Sequence, residues 1–146
     1  METALDLRFP ADPEAASAAR HALDGLEATF RPDVVEDIRL LVSELVTNSL
    51  RHAGLRADQV IGLRVRSSRK HIRVEVADPG PGFRRRSILP SMYQIGGWGL
   101  YLVDQISDRW GVRRRPRTCV WFEIDARPPR AQTAKRTWRM SPSRTK

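Results

Sequence analysis

The chain has one cysteine, Cys119, so no disulfide can form within it. It has no apolar run near the ~18 residues that span a membrane. Its N-terminus shows no basic patch followed by an apolar stretch, so no signal peptide is expected and the cytoplasm is the default compartment. No internal repeat is visible. His52 has no second His or Cys at metal-ligand spacing, which argues against a zinc site. No Gly-Lys-Ser/Thr closes the Gly96-Gly97-Trp98-Gly99 cluster, so it is not a P-loop. Acidic residues are missing from one stretch: Ala126 to Lys146 holds seven basic residues and none that is acidic.

That last absence locates the charge. The net charge is +9, from 26 basic and 17 acidic residues. Without the seven tail cations the body is close to +2. The basicity therefore belongs to the tail and says little about the fold. The tail has only Trp138 to interleave with its cations, so direct nucleic-acid binding is not expected. Residues 127–146 read as a disordered basic tail behind one domain, 1–126. A chain of 146 residues with 40% hydrophobic and 29% charged residues can bury a real core and fits a soluble globular class.

Two periodicities alternate along the body. Leu5, Leu7 and Phe9 alternate with polar residues and predict a strand over Thr3 to Phe9. Pro10 to Pro13 breaks it, and Asp12 can cap a helix that runs to about Ala28. Pro32 and Asp33 open a second helix. Its apolar residues Ile38, Leu41, Val42, Leu45, Val46 and Ala53 follow one helical face, and Gly54 ends it. Val60–Ser67 and Ile72–Ala77 have period 2 and predict an antiparallel hairpin. A shorter helix is expected from about Leu100 to Ile106, then strands over Trp110–Arg114 and Thr118–Asp125. The fold class is α+β: a two-layer sandwich, with a mostly antiparallel mixed sheet carrying helices on one face.

Three motifs carry chemistry. Glu44 and Asn48 lie one turn apart on the flank of the second helix. A carboxylate there can act as general base on a hydroxyl, and an amide oxygen suits Mg²⁺. Arg51, one turn further, could reach a phosphate. Alone, the pattern also fits a solvated polar flank. Asp78-Pro79-Gly80-Pro81-Gly82 ends a strand. Its carboxylate can accept from an exocyclic amine such as that of adenine, and its glycines let backbone approach a flat ring; it also fits a capped turn. Gly96, Gly97 and Gly99 run into a helix start and offer N–H groups to phosphates, although a flexible connection has the same composition.

In this order and spacing the motifs resemble the GHKL (Bergerat-fold) ATPases. That superfamily includes histidine-kinase catalytic domains, gyrase B, Hsp90 and MutL. Glu44 to Asn48 matches the N box, Asp78-x-Gly80-x-Gly82 the G1 box, and Gly97-x-Gly99-Leu100 the G2 box. Thr118 resembles the late-strand threonine that supports adenine binding. Ser43-Glu44-Leu45-Val46-Thr47-Asn48-Ser49-Leu50-Arg51-His52-Ala53, with Val120-Trp121-Phe122-Glu123-Ile124, is similar to the anti-sigma-factor serine/threonine kinases of bacteria. The resemblance spans about Leu5 to Asp125.

It implies ATP and Mg²⁺ as cofactors, with Glu44 as general base and Asn48 on the metal. It implies nucleotide contacts from Asn48, Arg51, Asp78, Gly80, Gly82, Gly96, Gly97, Gly99, Leu100 and Thr118. The implied partners are a sigma factor and an anti-anti-sigma (STAS-type) protein whose serine is phosphorylated. Family members often dimerise, so a homodimer is compatible with the resemblance; a membrane partner is not implied. Trp98 in the lid segment, Arg117 before the late threonine, and Arg84-Arg85-Arg86 depart from the pattern. A catalytically silent ATP- or partner-binding module of the same fold is the alternative.

Overall fold

The computed structural model describes residues 1–52, 55–56, 58–79, 98–114 and 116–126. The expected basic tail and the Arg84–Arg86 segment lie outside them. Strand β1 is Glu2–Pro10, helix α1 Ala15–Ala22, helix α2 Pro32–His52, strands β2 Val60–Ser67 and β3 His71–Asp78, helix α3 Trp98–Ile106, and strands β4 Arg109–Arg113 and β5 Thr118–Asp125. The strands form one sheet in the order β1-β2-β3-β5-β4, and every neighbouring pair is antiparallel. The final strand is thus interior.

Alternation decides which face is covered. Side chains two apart on a strand share a face. Ile61, Leu63 and Val65 on β2, Ile72, Val74 and Val76 on β3, and Val120, Phe122 and Ile124 on β5 all turn inward and are buried. Helix α2 meets them with the predicted Ile38, Leu41, Val42, Leu45 and Val46, joined by Val35, while the predicted Ala53 lies outside the described residues. Ala15 and Ala19 of α1 and Leu100 and Val103 of α3 complete the core.

One expected helix is two elements. The α-helix stops at Ala22, and Leu23–Ala28 continues as a 3₁₀ helix. Gly25 weakens an α-helix. At three residues per turn, Leu23 and Leu26 fall on one line, and both are buried. Arg39 of α2 pins this segment through Asp24 at 2.6 Å and Glu27 at 2.9 Å. Before α1, Asp12 Oδ1 accepts the Glu14 N–H at 2.9 Å, but the N-cap of the helix is Glu14, without a side-chain cap bond, so Asp12 holds the preceding turn and does not cap the helix as expected.

Phe122 is fully buried at the centre of the sheet. Truncating it leaves a cavity that surrounding strands cannot close, so Phe122→Ala should cost about 3–5 kcal/mol of folding stability in urea unfolding.

The other face of the sheet is charged. Arg73 bonds Glu75 at 2.9 Å and Glu123 at 3.3 Å, Arg66 reaches Glu75 at 3.2 Å, and Arg109 also pairs with Glu123. The Arg73 guanidinium lies 4.2 Å from the centroid of Trp121, a cation–π contact. Gly111, opposite Trp121, has to be glycine: a Cβ there would come within 2.9 Å of the indole.

Burial raises the Glu75 carboxyl, but the hydrogen bond and charge of Arg73, with the charges of Arg66 and Arg113, outweigh it and hold the group below the usual carboxylate range. A group depressed on folding stabilises the fold above its unfolded pKa, and that contribution fades as pH falls through the folded value. The urea midpoint should therefore fall on acidification below about pH 4, and less steeply in Glu75→Gln.

Candidate nucleotide site

The inward face ends in polar residues at one corner. Period 2 along β3 continues from Val74 and Val76 to Asp78, and along β5 it runs back from Phe122 and Val120 to Thr118. Asp78 and Thr118 are directly opposite in the β3–β5 register. Each is only 2% exposed. A carboxylate this deep needs donors, and α2 supplies one: Ser49 Oγ donates to Asp78 Oδ2 at 2.9 Å, itself buried. Strand end, late strand and N-box helix therefore converge on one carboxylate. Ser49 is one partner of a carboxylate that can accept up to about four hydrogen bonds.

Two buried groups at this corner lack partners among the described residues. They are Asn48 Nδ2 and Thr118 Oγ1. Buried polar atoms are paired almost everywhere in folded proteins, and leaving one unpaired costs about 1–3 kcal/mol. Asn48 is 3% exposed and follows Ile38, Leu41 and Leu45 on the covered side of α2. Its amide can present oxygen or nitrogen by a flip about its last torsion. Both groups fit a polar ligand entering the corner: a purine edge at Asp78 and Thr118, and a metal or phosphate oxygen at Asn48.

Glu44 lies one turn before Asn48. It is half-buried and makes no ion pair or hydrogen bond among the described residues. Arg51 is exposed one turn beyond Asn48. No group of three or more His, Cys, Asp or Glu side chains suited to a metal occurs among the described residues. An Mg²⁺ ion here would rely on the Asn48 amide, substrate phosphates and water, the usual manner of that ion.

The glycine motifs are only partly described. Gly80, Gly82, Gly96 and Gly97 lie outside the described residues. Gly99 falls in the first turn of α3, which begins at Trp98, two residues before the expected start. Leu100 is 2% exposed and packs in the core, so any contact it makes with a ligand is through its backbone. Arg117, a departure from the family pattern, turns away from this corner. It lines a depression on the charged outer face with Arg8 and Arg113, which leaves the Thr118 side clear.

A model of the histidine kinase-like ATPase domain matches residues 9–124. The chain belongs to this family. Over 122 residues it is 33% identical to the serine-protein kinase RsbW of Listeria innocua, covering 74% of this chain and 78% of the relative. It is 28% identical over 130 residues to the serine-protein kinase RsbW of Staphylococcus aureus, covering 79% and 82%. Among solved structures it is similar to the histidine kinase domain of the blue-light activated histidine kinase of Erythrobacter litoralis EL346. The TM-score is 0.55 at 26% identity, and 81% of this chain aligns to 62% of that one. The chain thus spans less than two thirds of that solved domain.

Within this histidine kinase-like fold, the residue that sequence reasoning passed over is Ser49. It follows the N-box asparagine, and its signal was a small polar side chain on the buried side of an apolar helix. Two titratable side chains elsewhere are ordinary. His21 bonds the Ser17 carbonyl at 2.8 Å, one turn back. Cys119 is buried; burial, and then the charge of Glu75, push its thiol up, so it is no ready nucleophile.

Proposed function

We propose that the chain is an ATP- and Mg²⁺-dependent serine/threonine protein kinase of the anti-sigma type. It would phosphorylate a serine of an anti-anti-sigma (STAS-type) protein and bind a sigma factor, in the cytoplasm. The observation that carries this reading is the buried Asp78 carboxylate, held by Ser49 and facing Thr118, with Asn48 one helical step away and Glu44, on the same flank, unpaired among the described residues. The relatives named as serine-protein kinases support the reaction class. No described helix is long and apolar enough to cross a membrane, in keeping with soluble partners.

In this reading Asp78 accepts the adenine amine, and Thr118 bonds the same edge of the base. Asn48 holds Mg²⁺, which when bound offsets phosphate charge during transfer. Arg51 contacts a phosphate. Glu44 accepts the proton of the incoming serine hydroxyl as its oxygen bonds the γ-phosphorus. The bond from that phosphorus to the bridging oxygen breaks, and ADP leaves with the electron pair. An unpaired carboxylate suits this work, since an arginine partner would lower its basicity.

The experiment is transfer from γ-labelled ATP to a recombinant anti-anti-sigma (STAS-type) domain from the same organism. Label on the substrate serine is expected. ATP binding without transfer would instead support a catalytically silent regulatory module of the same fold, and no ATP binding would defeat the reading altogether.

A further inference from the structure

The outer face of the sheet has a feature that nucleotide chemistry does not use. One row of residues crosses all five strands through four paired positions: Arg8 opposite Gly62, Gly62 opposite Ala77, Ala77 opposite Cys119, and Cys119 opposite Arg113. Its three middle members are small. The row is therefore a trough, open over Gly62 and Ala77 and covered over the buried Cys119, and ended by an arginine on β1 and another on β4. Four strand spacings make it roughly 19 Å long. Its open part is a depression of about 230 Å³, with Arg64 and Arg117 also on its walls.

The charges in it do not cancel. Asp6 is paired with Arg64 at 3.3 Å, and Glu75 with Arg66 and Arg73. Arg8, Arg113 and Arg117 make no ion pair or hydrogen bond among the described residues. Three guanidiniums without an ion pair or hydrogen bond among the described residues line one depression, Arg113 within range of the Glu75 charge, and such groups bind carboxylates through two parallel hydrogen bonds.

We propose that this trough docks an acidic, extended peptide segment of a partner protein, which crosses the strands with carboxylates on Arg8 and Arg113. The charge excludes other occupants. The chain's own tail is basic throughout and would be repelled. A second copy docked face to face would set arginine against arginine. A single small anion would engage one end and leave the other bare, whereas about six extended residues span the row. The trough and the nucleotide corner lie on opposite faces, since Arg117 and Thr118 are neighbours on a strand edge. Both can be filled at once.

Fluorescence anisotropy on the full chain with a labelled octaglutamate peptide tests this, with octalysine as the control. Octaglutamate should bind and octalysine should not. The double variant Arg8→Glu/Arg113→Glu should weaken octaglutamate binding by about tenfold or more. Arg20→Glu/Lys70→Glu changes net charge equally on exposed sites elsewhere and should stay near wild type. Thermal unfolding establishes that each variant is folded. Saturating ATP should not displace the peptide. Equal weakening in both double variants would reduce the effect to overall charge and overturn the proposal. So would the absence of binding, or displacement by inorganic phosphate at matched ionic strength, which would mark a small-anion pocket only.

Discussion

Glu44→Gln is expected to lower phosphoryl transfer to the serine substrate by about 10²–10⁴-fold while leaving ATP affinity nearly unchanged. Glutamine keeps the shape and the helix, so α2 and its core contacts persist. What is lost is the acceptor for the hydroxyl proton. The split between binding and chemistry makes the result diagnostic. Labelled-ATP transfer reads one quantity, and calorimetry with ATP and Mg²⁺ reads the other. A carboxylate that merely solvates the helix flank would leave both unchanged. If Gln lowered affinity and rate together, Glu44 would be helping to hold the nucleotide, not taking a proton.

The second large effect concerns Asp78. Asp78→Asn should weaken ATP binding by roughly 10–100-fold, the loss of one or two charge-assisted hydrogen bonds of about 1.5–3 kcal/mol. It should also erode the preference for ATP over GTP. Guanine offers a carbonyl oxygen where adenine offers an amine, and a carboxylate repels that oxygen while an amide can donate to it. Competition binding with both nucleotides measures the change. Ser49→Ala is the milder companion, because it removes the donor that fixes the carboxylate but keeps the acceptor itself. Its affinity loss should be smaller and its selectivity intact. Equal losses for ATP and GTP in Asp78→Asn would mean that this carboxylate is structural and does not read the base.

Much of this corner could be read from the chain alone. The apolar stripe of α2 fixes which flank Glu44 and Asn48 occupy. The period-2 runs put Asp78 and Thr118 on the inward face once strand pairing is known. Two things were less accessible. The Ser49–Asp78 bond joins residues 29 apart, and neither residue type announces its partner when turn capping explains each as well. The face of Arg117 depends on the register of β5 against β3, which no local pattern sets. The break after Ala22 has a local cause, yet it is visible only when Gly25 is weighed together with the three-residue spacing of Leu23 and Leu26. The charged outer face was hidden for a related reason. Glu75 and Glu123 alternate as solvent-facing residues would, but arginines from neighbouring strands cover them.

The interior position of the last strand has a consequence for how the protein comes into being. A ribosome delivers β3, with Asp78 at its end, some forty residues ahead of Thr118. Until β5 emerges and inserts between β3 and β4, the edge of β3 that it will pair is bare and open to misplaced pairing. The corner where Asp78 meets Thr118 is therefore assembled last, and the base contacts proposed for it wait on β5. Chains cut short before that strand would lack Thr118 and the strand that covers the bare edge of β3.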